Sequence, residues 1–233
     1  MADKCLAVIT ARGGSKRVPR KNIKEFCGKP MIEYSIEAAL KSGVFDEVMV
    51  STDDDEIAEI AEKAGAKVPF FRSEKTSGDM AMTHEVIIEV LHQYEEEGMK
   101  FDIVCCIYPT APFLMPKRLK EAMEKLQQTQ AHGVVPVVRY SFPPQRCFVI
   151  EDGLVRYKWP ENRLKRSQDL EPYYHDCGQF YFMRVQPFLA EENMIMKNMV
   201  PIIMDEMEVQ DIDTVEDWKM AEMKYELLHQ TGR

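Results

Sequence analysis

Residues 11–22 of this 233-residue chain have the composition of a phosphate-binding loop. They read Ala-Arg-Gly-Gly-Ser-Lys-Arg-Val-Pro-Arg-Lys-Asn and follow the apolar run at residues 6–9. Gly13 and Gly14 allow backbone N–H groups to approach an anion closely, and Ser15 adds a hydroxyl donor. The Arg and Lys side chains form charge-assisted hydrogen bonds to phosphate oxygens. The loop therefore predicts a phosphate site.

The charge of this region opposes that of the whole chain. Residues 12–29 contain seven basic side chains and one acid, whereas the formal net charge of the protein is -9. The loop lacks both Gly-x-x-x-x-Gly-Lys-Ser/Thr and Gly-x-Gly-x-x-Gly, so P-loop NTPases and dinucleotide-dependent oxidoreductases are disfavoured. The alternative to a phosphate site is a solvated basic turn.

A second segment, Gln-Asp-Ile-Asp-Thr at residues 210–214, presents two carboxylates. In an extended segment residues two apart project to the same side, so Asp211 and Asp213 face one site while Ile212 points into the core. Mg²⁺ is commonly held by one or two carboxylates together with substrate phosphates and water. The alternative is that one or both aspartates cap a helix beginning near Thr214. With the cationic loop, the pair predicts a Mg²⁺-assisted reaction at a bound phosphate group.

The elements that must position these residues alternate along the first half of the chain. Strand-like runs at about 5–10, 47–52, 67–71 and 102–108 alternate with helix-like segments at about 30–42, 54–65, 83–97 and 116–129. This pattern predicts an α/β fold, a three-layer α/β/α sandwich with a mostly parallel, Rossmann-like sheet. The loop at 11–22 then lies at the carboxyl end of the first strand, where such sheets bind ligands.

The second half of the chain departs from this alternation. We expect a strand at 134–140, a small β-hairpin at 147–157 turning at Asp152-Gly153, a strand at 178–182 and a final helix at 214–229. Residues 140–176 are interpreted as an excursion inserted in one domain spanning 1–233. Its aromatic and Arg residues are typical of interfaces and predict a dimerisation and sugar-specificity element.

Composition limits the partners and the compartment. With 45% hydrophobic residues the chain can bury one large core, and its acidic excess argues against nucleic-acid or anionic-membrane binding. Residues 6–9 are too short for a signal sequence and no run is long enough to span a membrane, so we expect a cytoplasmic protein. The six cysteines have no Cys-x-x-Cys spacing and are interpreted as buried, reduced thiols. Asp53, Asp54 and Asp55 are interpreted as helix-start acids rather than a metal cluster.

The motifs at 11–16, 21–22 and 28–32 resemble the signature of the cytidylyltransferases that activate sialic-acid-like sugars. Residues 45–53 and 109–112 are also typical of that family. The resemblance implies a nucleotidyltransferase-type fold, CTP as substrate and Mg²⁺ as cofactor. The residues that it implies are catalytic are Arg12, Lys21, Asp211 and Asp213, the last two as metal ligands. The residues that it implies bind the nucleotide are Arg12, Gly13, Gly14, Ser15, Lys16 and Lys21 at the phosphates, Asn22 at the ribose, Arg72 at the cytosine edge, and Thr83.

Within this family the chain resembles the pseudaminic acid branch at residues 143–146, 166–171 and 174–181. Tyr108 stands where N-acetylneuraminate enzymes have Gln, and Met115 stands where the pseudaminic acid branch often has Arg. The implied reaction is attack of the anomeric hydroxyl of pseudaminic acid, a nine-carbon acidic sugar, on the CTP α-phosphate to give CMP-pseudaminic acid and pyrophosphate. Synthesis of CMP-N-acetylneuraminate or another CMP-nonulosonate is an alternative, as is a sugar-nucleotide-binding protein without turnover.

The predicted sugar contacts are Tyr108, Arg166, Gln168 and His175. Arg166 and Gln168 are candidates for the sugar carboxylate and acylamino groups, since a guanidinium group matches a carboxylate bidentately; the alternative is that both are surface polar residues. His175 either orients a substrate hydroxyl or makes a structural hydrogen bond with Asp176. The resemblance implies a homodimer in which residues 140–176 cross to the partner's sugar pocket, and the alternative is a local lid.

Overall fold

A seven-stranded mixed sheet forms the centre of the computed structural model, which describes residues 3–230 apart from the Gln230 side chain. Its strand order is β11-β6-β10-β5-β1-β4, with β9 also paired to β6. The strands of the described residues are β1 Cys5–Thr10, β2 Glu25–Phe26, β3 Lys29–Pro30, β4 Glu47–Ser51, β5 Ile103–Ile107, β6 Gly133–Arg139, β7 Phe148–Glu151, β8 Leu154–Tyr157, β9 Tyr174–Asp176, β10 Phe180–Arg184 and β11 Met199–Ile203. Parallel pairing joins β4, β1 and β5, and also β6 and β11, whereas β9 and β10 run antiparallel to their neighbours.

Helices cover both faces of this sheet, which confirms the predicted three-layer α/β/α sandwich. The helices are α1 Met31–Ser42, α2 Asp55–Lys63, α3 Glu74–Ser77, α4 Thr83–Glu96, α5 Pro116–Gln128, α6 Val185–Glu191 and α7 Val215–Gln230. Alternate residues of β1 divide between the faces, because Ala7 and Ile9 pack with α1, α2 and α5 while Leu6 and Val8 pack with α4 and α6. Period-two alternation therefore builds two hydrophobic cores from one buried strand.

A third apolar cluster, the C-terminal cluster, lies beside the sheet and joins distant parts of the chain. It contains Val18, Phe26, Met31, Tyr34, Phe113, Ile212, Trp218 and Ala221. Val18 belongs to the basic loop and Ile212 to the acidic segment, and both are 1% exposed. Burial of these two side chains in one cluster draws the loop and the aspartates together.

The hairpin forms as predicted, but two other predictions for the second half of the chain need adjustment. Asp152 and Gly153 both have positive φ, 53° and 75°, which matches the two-residue turn that joins β7 to β8. Tyr174–Asp176, which falls in the predicted excursion, returns to the sheet as β9. Between β9 and β10 the chain is interrupted at residues 177–179, where Gly178 has a φ of 60°.

One predicted strand is wrong. Residues 67–71 make a single parallel bridge, between Lys67 and Met49, because Pro69 lacks the N–H that would continue the ladder. The sequence reading also missed β9, β11 and α6. All six cysteines are free, and four are buried as expected, whereas Cys147 is half-buried and Cys27 is exposed. Within residues 3–230 there is no helix long and apolar enough to cross a membrane.

Candidate active site

The predicted phosphate loop and the acidic segment line one cavity of about 630 Å³. The cavity opens where β1 and β5 end, since Thr10 closes β1 and Tyr108 follows β5. Eight of the residues that line it were predicted as site residues from the sequence: Arg12, Ser15, Lys16, Lys21, Asn22, Tyr108, Asp211 and Asp213. The other lining residues are Thr10, Arg17, Pro109 and Thr110. The structure thus brings together side chains separated by about 190 positions in the sequence.

The start of α2 fixes the path of the loop. The Gly13 N–H donates to Asp53 Oδ1 at 2.9 Å, and a Cβ built on Gly13 would lie 2.6 Å from Asp54 Oδ2, so any larger residue there would displace the Asp54 carboxylate. Asp54 caps α2 by accepting from the Ile57 N–H. Arg20 pairs with Asp54 and holds the pKa of that carboxyl below its ordinary value. Asp54 is thus a cap, as predicted, while Asp53 orders the loop backbone.

The amide of Asn22 also supports the loop from within. Asn22 is 7% exposed and its Nδ2 donates to the Arg12 carbonyl at 2.9 Å. The side chain therefore lines the cavity while it fixes the backbone that presents the Arg12 guanidinium.

Each cation of the cavity has a carboxylate or carbonyl partner. Arg12 Nη1 donates to Asp79 Oδ1 at 2.9 Å and to the Gly78 carbonyl at 3.2 Å, and Lys16 pairs with the same carboxylate. Arg17 pairs with Asp213 at 2.9 Å. Lys21 Nζ donates to the Ile212 carbonyl at 2.6 Å and lies 3.5 Å from Asp213 Oδ1. Asp79 and Asp213 are thus paired with the cations that a bound phosphate group would contact.

The acidic segment has the predicted alternation, with Ile212 buried and both aspartates at the cavity. Asp213 does not cap α7, because Thr214 and Asp217 form a reciprocal cap in which Asp217 Oδ2 accepts from the Thr214 N–H at 2.8 Å. Among residues 3–230 no group of three or more His, Cys, Asp or Glu side chains could hold a metal ion. A cation at Asp211 and Asp213 would need further oxygen ligands from substrate and water, which is the usual donor set of Mg²⁺.

A second cavity of about 630 Å³ adjoins the first. The two share Tyr108, Thr110 and Asp211 as lining residues. Of the predicted sugar contacts, Tyr108 and His175 line this second cavity, and His175 Nδ1 also lies 3.0 Å from the Asp176 carbonyl. Because the two cavities share this wall, a ligand bound in the second cavity would lie next to a ligand bound in the first.

The second cavity also holds two cations that the sequence reading missed, Arg139 and Lys224. Lys224 Nζ donates to the carbonyls of Glu206 and Val209, at 2.6 and 2.5 Å. Burial lowers its pKa from the ordinary lysine value. Arg139 is the last residue of β6, and its position at the carboxyl end of a strand could have identified it as a site residue. Lys224 lies within α7, and no neighbouring residue in the sequence marks it as a site residue.

Four predicted nucleotide contacts are not among the lining residues of either cavity: Gly13, Gly14, Arg72 and Thr83. Arg72 donates from Nε to Ser51 Oγ and from Nη2 to the Ser51 carbonyl, both at 2.9 Å. Burial lowers its pKa to about 10. Thr83 is the first residue of α4.

Arg166 and Gln168 lie outside both cavities of their own chain. Arg166 makes a bidentate pair with Asp169, at 2.8 and 3.0 Å, and Gln168 lies in the one-turn 3₁₀ helix Ser167–Asp169. This part of the chain exposes several large apolar side chains, among them Ile150 at 77% and Leu164 at 85%.

Comparisons with known proteins add to this geometry. The family model described as cytidylyltransferase matches residues 6–231. The chain is 42% identical over 230 residues to the pseudaminic acid cytidylyltransferase of Campylobacter jejuni subsp. jejuni, covering 98% of this chain and 99% of that protein. It is 35% identical over 231 residues to the CMP-N,N'-diacetyllegionaminic acid synthase of Legionella pneumophila subsp. pneumophila, covering 95% and 96% of the two chains.

The fold has solved counterparts as well. The structure of a CMP:2-keto-3-deoxy-manno-octonic acid synthetase complexed with CTP superposes with a TM-score of 0.68 and 18% sequence identity, covering 98% of this chain and 99% of the other. At that identity the match shows the fold alone.

Proposed function

Because the chain belongs to the cytidylyltransferase family, we propose that it transfers CMP from CTP to pseudaminic acid and releases pyrophosphate. The main observation in support of a reaction between two substrates is that two neighbouring cavities share one wall. That wall is formed by Tyr108, Thr110 and Asp211. The choice of sugar is supported by the 42% identity to a pseudaminic acid cytidylyltransferase over nearly the full length of both chains.

In the proposed reaction the triphosphate lies in the first cavity. Its oxygens replace the Asp79 carboxylate as partners of Arg12 and Lys16, and Lys21 faces the α-phosphate from the side of Asp213. The anomeric hydroxyl of the sugar, held in the second cavity, attacks the α-phosphorus across the shared wall. The bond to the bridging oxygen of the β-phosphate breaks, and the cations stabilise the charge of the departing pyrophosphate.

Asp211 and Asp213 would hold Mg²⁺ in this arrangement. Both line the first cavity, and the buried Ile212 between them keeps the two carboxylates on the solvent side. The ion, when bound, supplies charge neutralisation at the phosphate oxygens. Arg17 and Lys21, which pair with Asp213, then become available to the triphosphate.

The carboxylate of an acidic sugar requires a cation in the second cavity. Arg139 and Lys224 of the same chain provide positive charge there, since both line it. We propose that Arg166 and Gln168 reach the same pocket from the partner in a homodimer. Exposed apolar residues on and after the hairpin, including Ile150, Val155 and Leu164, are suited to such an interface because large exposed apolar patches mark contact sites.

The test is a panel of acceptor sugars. The purified protein is incubated with CTP, MgCl₂ and either pseudaminic acid, N,N'-diacetyllegionaminic acid or N-acetylneuraminic acid, and pyrophosphate release and product mass are measured. We expect the highest kcat/KM with pseudaminic acid. A higher value with another sugar would reassign the substrate, and nucleotide binding without pyrophosphate release from any sugar would indicate a non-catalytic binding protein.

A further inference from the structure

The seven basic side chains of residues 12–29 divide into two groups in the structure. Four of them line the first cavity: Arg12, Lys16, Arg17 and Lys21. The other three, Arg20, Lys24 and Lys29, are not among the lining residues of either cavity. Lys24 and Lys29 lie over aromatic rings of the C-terminal cluster. Arg20 instead makes ion pairs with the N-terminal end of α2, with Asp54 and Glu56.

Asp54 is at the centre of the contacts between the loop and α2. Its Oδ1 accepts the Ile57 N–H at 3.1 Å, which caps the helix, and it also accepts Arg20 Nη2 at 3.0 Å. Its Oδ2 accepts Arg20 Nη1, so the guanidinium and the carboxylate form a bidentate pair. The same Oδ2 lies against Gly13, where a Cβ would be 2.6 Å away. One carboxylate therefore lies against both Gly13 and Arg20.

The backbone at Arg20 has a conformation that needs support. Its φ of 54° is in the left-handed region, which residues other than glycine rarely adopt. The Arg20 carbonyl accepts the N–H groups of Ile23 and Lys24, at 3.0 and 2.9 Å. Such a conformation persists only where surrounding contacts fix it, and the ion pair with Asp54 is one of these contacts.

Each of the two anchored residues adjoins a cation of the first cavity. Arg12 directly precedes Gly13, whose N–H donates to Asp53 Oδ1 at 2.9 Å, and Lys21 directly follows Arg20. We call the contacts of Gly13 and Arg20 with Asp53 and Asp54 the loop clamp. Because both anchors attach to the same end of α2, the loop clamp limits how far Arg12 and Lys21 can move relative to each other.

We propose that Arg20 and Asp54 are positioning residues that hold Arg12 and Lys21 at the separation that a bound triphosphate requires. The inference rests on the proposed function for the presence of a triphosphate in the first cavity. Arg20 and Asp54 act through the loop backbone and do not contact the substrate. The loop clamp keeps the loop in the binding arrangement before the nucleotide arrives, which lowers the cost of ordering the loop on binding.

The variant Asp54→Asn separates the loop clamp from the helix cap. Asparagine is as good an N-cap as aspartate, so the bond from the Ile57 N–H is kept, whereas the charge that pairs with Arg20 is lost. Arg20→Ala breaks the same pair from the other side. In each variant the Kd for CTP should rise about tenfold, the rise expected if the loop is in the binding arrangement about a tenth of the time.

The kinetic effect should be confined to the nucleotide. kcat/KM for CTP should fall about 10- to 100-fold, since a displacement of about 1 Å at a reacting centre can cost a factor of about 10². KM for the sugar at saturating CTP should stay within about twofold of wild type, because none of residues 11–22 lines the second cavity. Arg20→Lys should give intermediate values, since an ammonium group keeps the charge without the bidentate geometry.

The matched control is Glu56→Gln. Glu56 also pairs with Arg20, but its side chain is 64% exposed, whereas that of Asp54 is 21% exposed. The control should leave the Kd for CTP and kcat within about twofold of wild type, because Asp54 still holds the guanidinium through both terminal nitrogens. The double variant Arg20→Ala/Asp54→Asn should bind CTP no more weakly than the weaker single variant, since each change breaks the same pair.

The Kd is measured by isothermal titration calorimetry with CTP and MgCl₂ in the absence of sugar. A wild-type Kd in Arg20→Ala, fully additive increases in the double variant, or an equal increase in Glu56→Gln would overturn the proposal. A rise in KM for the sugar as large as the rise in Kd for CTP would also overturn it, because it would show a general disturbance of the fold. If Arg20→Ala does not fold, Asp54→Asn decides by the same criteria. A wild-type protein that binds no CTP refutes the proposed function together with this inference, whereas normal binding by wild type and variants alike refutes the loop clamp alone.

Discussion

Replacing Lys21 with alanine should separate catalysis from stability. Its ammonium group links the basic loop to the acidic segment, through the Ile212 carbonyl at 2.6 Å and Asp213 at 3.5 Å. Arg17 makes a second link, to Asp213. Removing one preorganised electrostatic contact at a reacting centre commonly costs a factor of about 10² to 10³ in kcat. The lost hydrogen bond should cost about 1 to 2 kcal/mol of folding free energy, or a Tm decrease of about 2 to 8 °C at this chain length.

The assay compares Lys21→Ala with Lys24→Ala, measuring steady-state pyrophosphate release and thermal unfolding for both. Lys24 belongs to the same basic region but lies 4.4 Å over the Trp218 ring, outside both cavities. Loss of that cation–π contact should cost about 0.5 to 1 kcal/mol and leave kcat within about twofold of wild type. A Lys21→Ala variant that keeps more than about a tenth of wild-type kcat would refute the catalytic role of Lys21.

Three further changes test the rest of the site. Asp211→Asn and Asp213→Asn should each raise the Mg²⁺ concentration for half-maximal rate at least about tenfold, as measured by magnesium titration, because loss of even an outer-shell partner commonly costs that much. Asp79→Asn should lower KM for CTP about two- to fivefold, since it removes a half-exposed carboxylate that competes with phosphate for Arg12 and Lys16. Mixing Arg166→Ala chains with Lys21→Ala chains should recover partial activity, because one of the two shared pockets then has both residues intact.

Each of these has a contrary result. Unchanged magnesium curves in both aspartate variants would move the metal to other ligands. A higher KM for CTP in Asp79→Asn would mean that the carboxylate orders the loop for the nucleotide instead of competing with it. A monomer by light scattering, or no recovery after verified subunit exchange when each single variant is inactive, would favour a local lid over a shared pocket.

The parts of the site that the sequence predicted are those fixed by local geometry. A loop directly after a buried strand must lie at that strand's carboxyl end, and two aspartates flanking a buried isoleucine must share a side, so both could be read from short segments. The strand predicted at 67–71 fails because Pro69 cannot continue the ladder, although the run is apolar. β9 was missed because its residues are polar and exposed, and the strand forms by pairing with β6, which is distant in sequence.

Contacts between residues that are far apart in the sequence could not be predicted from local patterns. That Asp79 would meet Arg12, or that Lys224 of the last helix would line the same cavity as Arg139, has no local signature in the sequence. The assignment of Arg72 to the base edge came from resemblance, and the structure gives its guanidinium two hydrogen bonds to Ser51. Patterns of spacing predict which element a side chain is on, but not which distant charge it meets.

The contact between Lys21 and Ile212 spans 191 positions, and this has a consequence for how the protein is made. A ribosome adding about 5 to 20 residues per second needs about 10 to 40 seconds to synthesise the intervening chain. Throughout that interval the basic loop has emerged without Asp213, and Val18 has no Ile212 to pack against. The nucleotide cavity is therefore among the last features of the protein to mature, and a nascent chain halted before residue 211 would display Arg17 and Lys21 without their acidic partner.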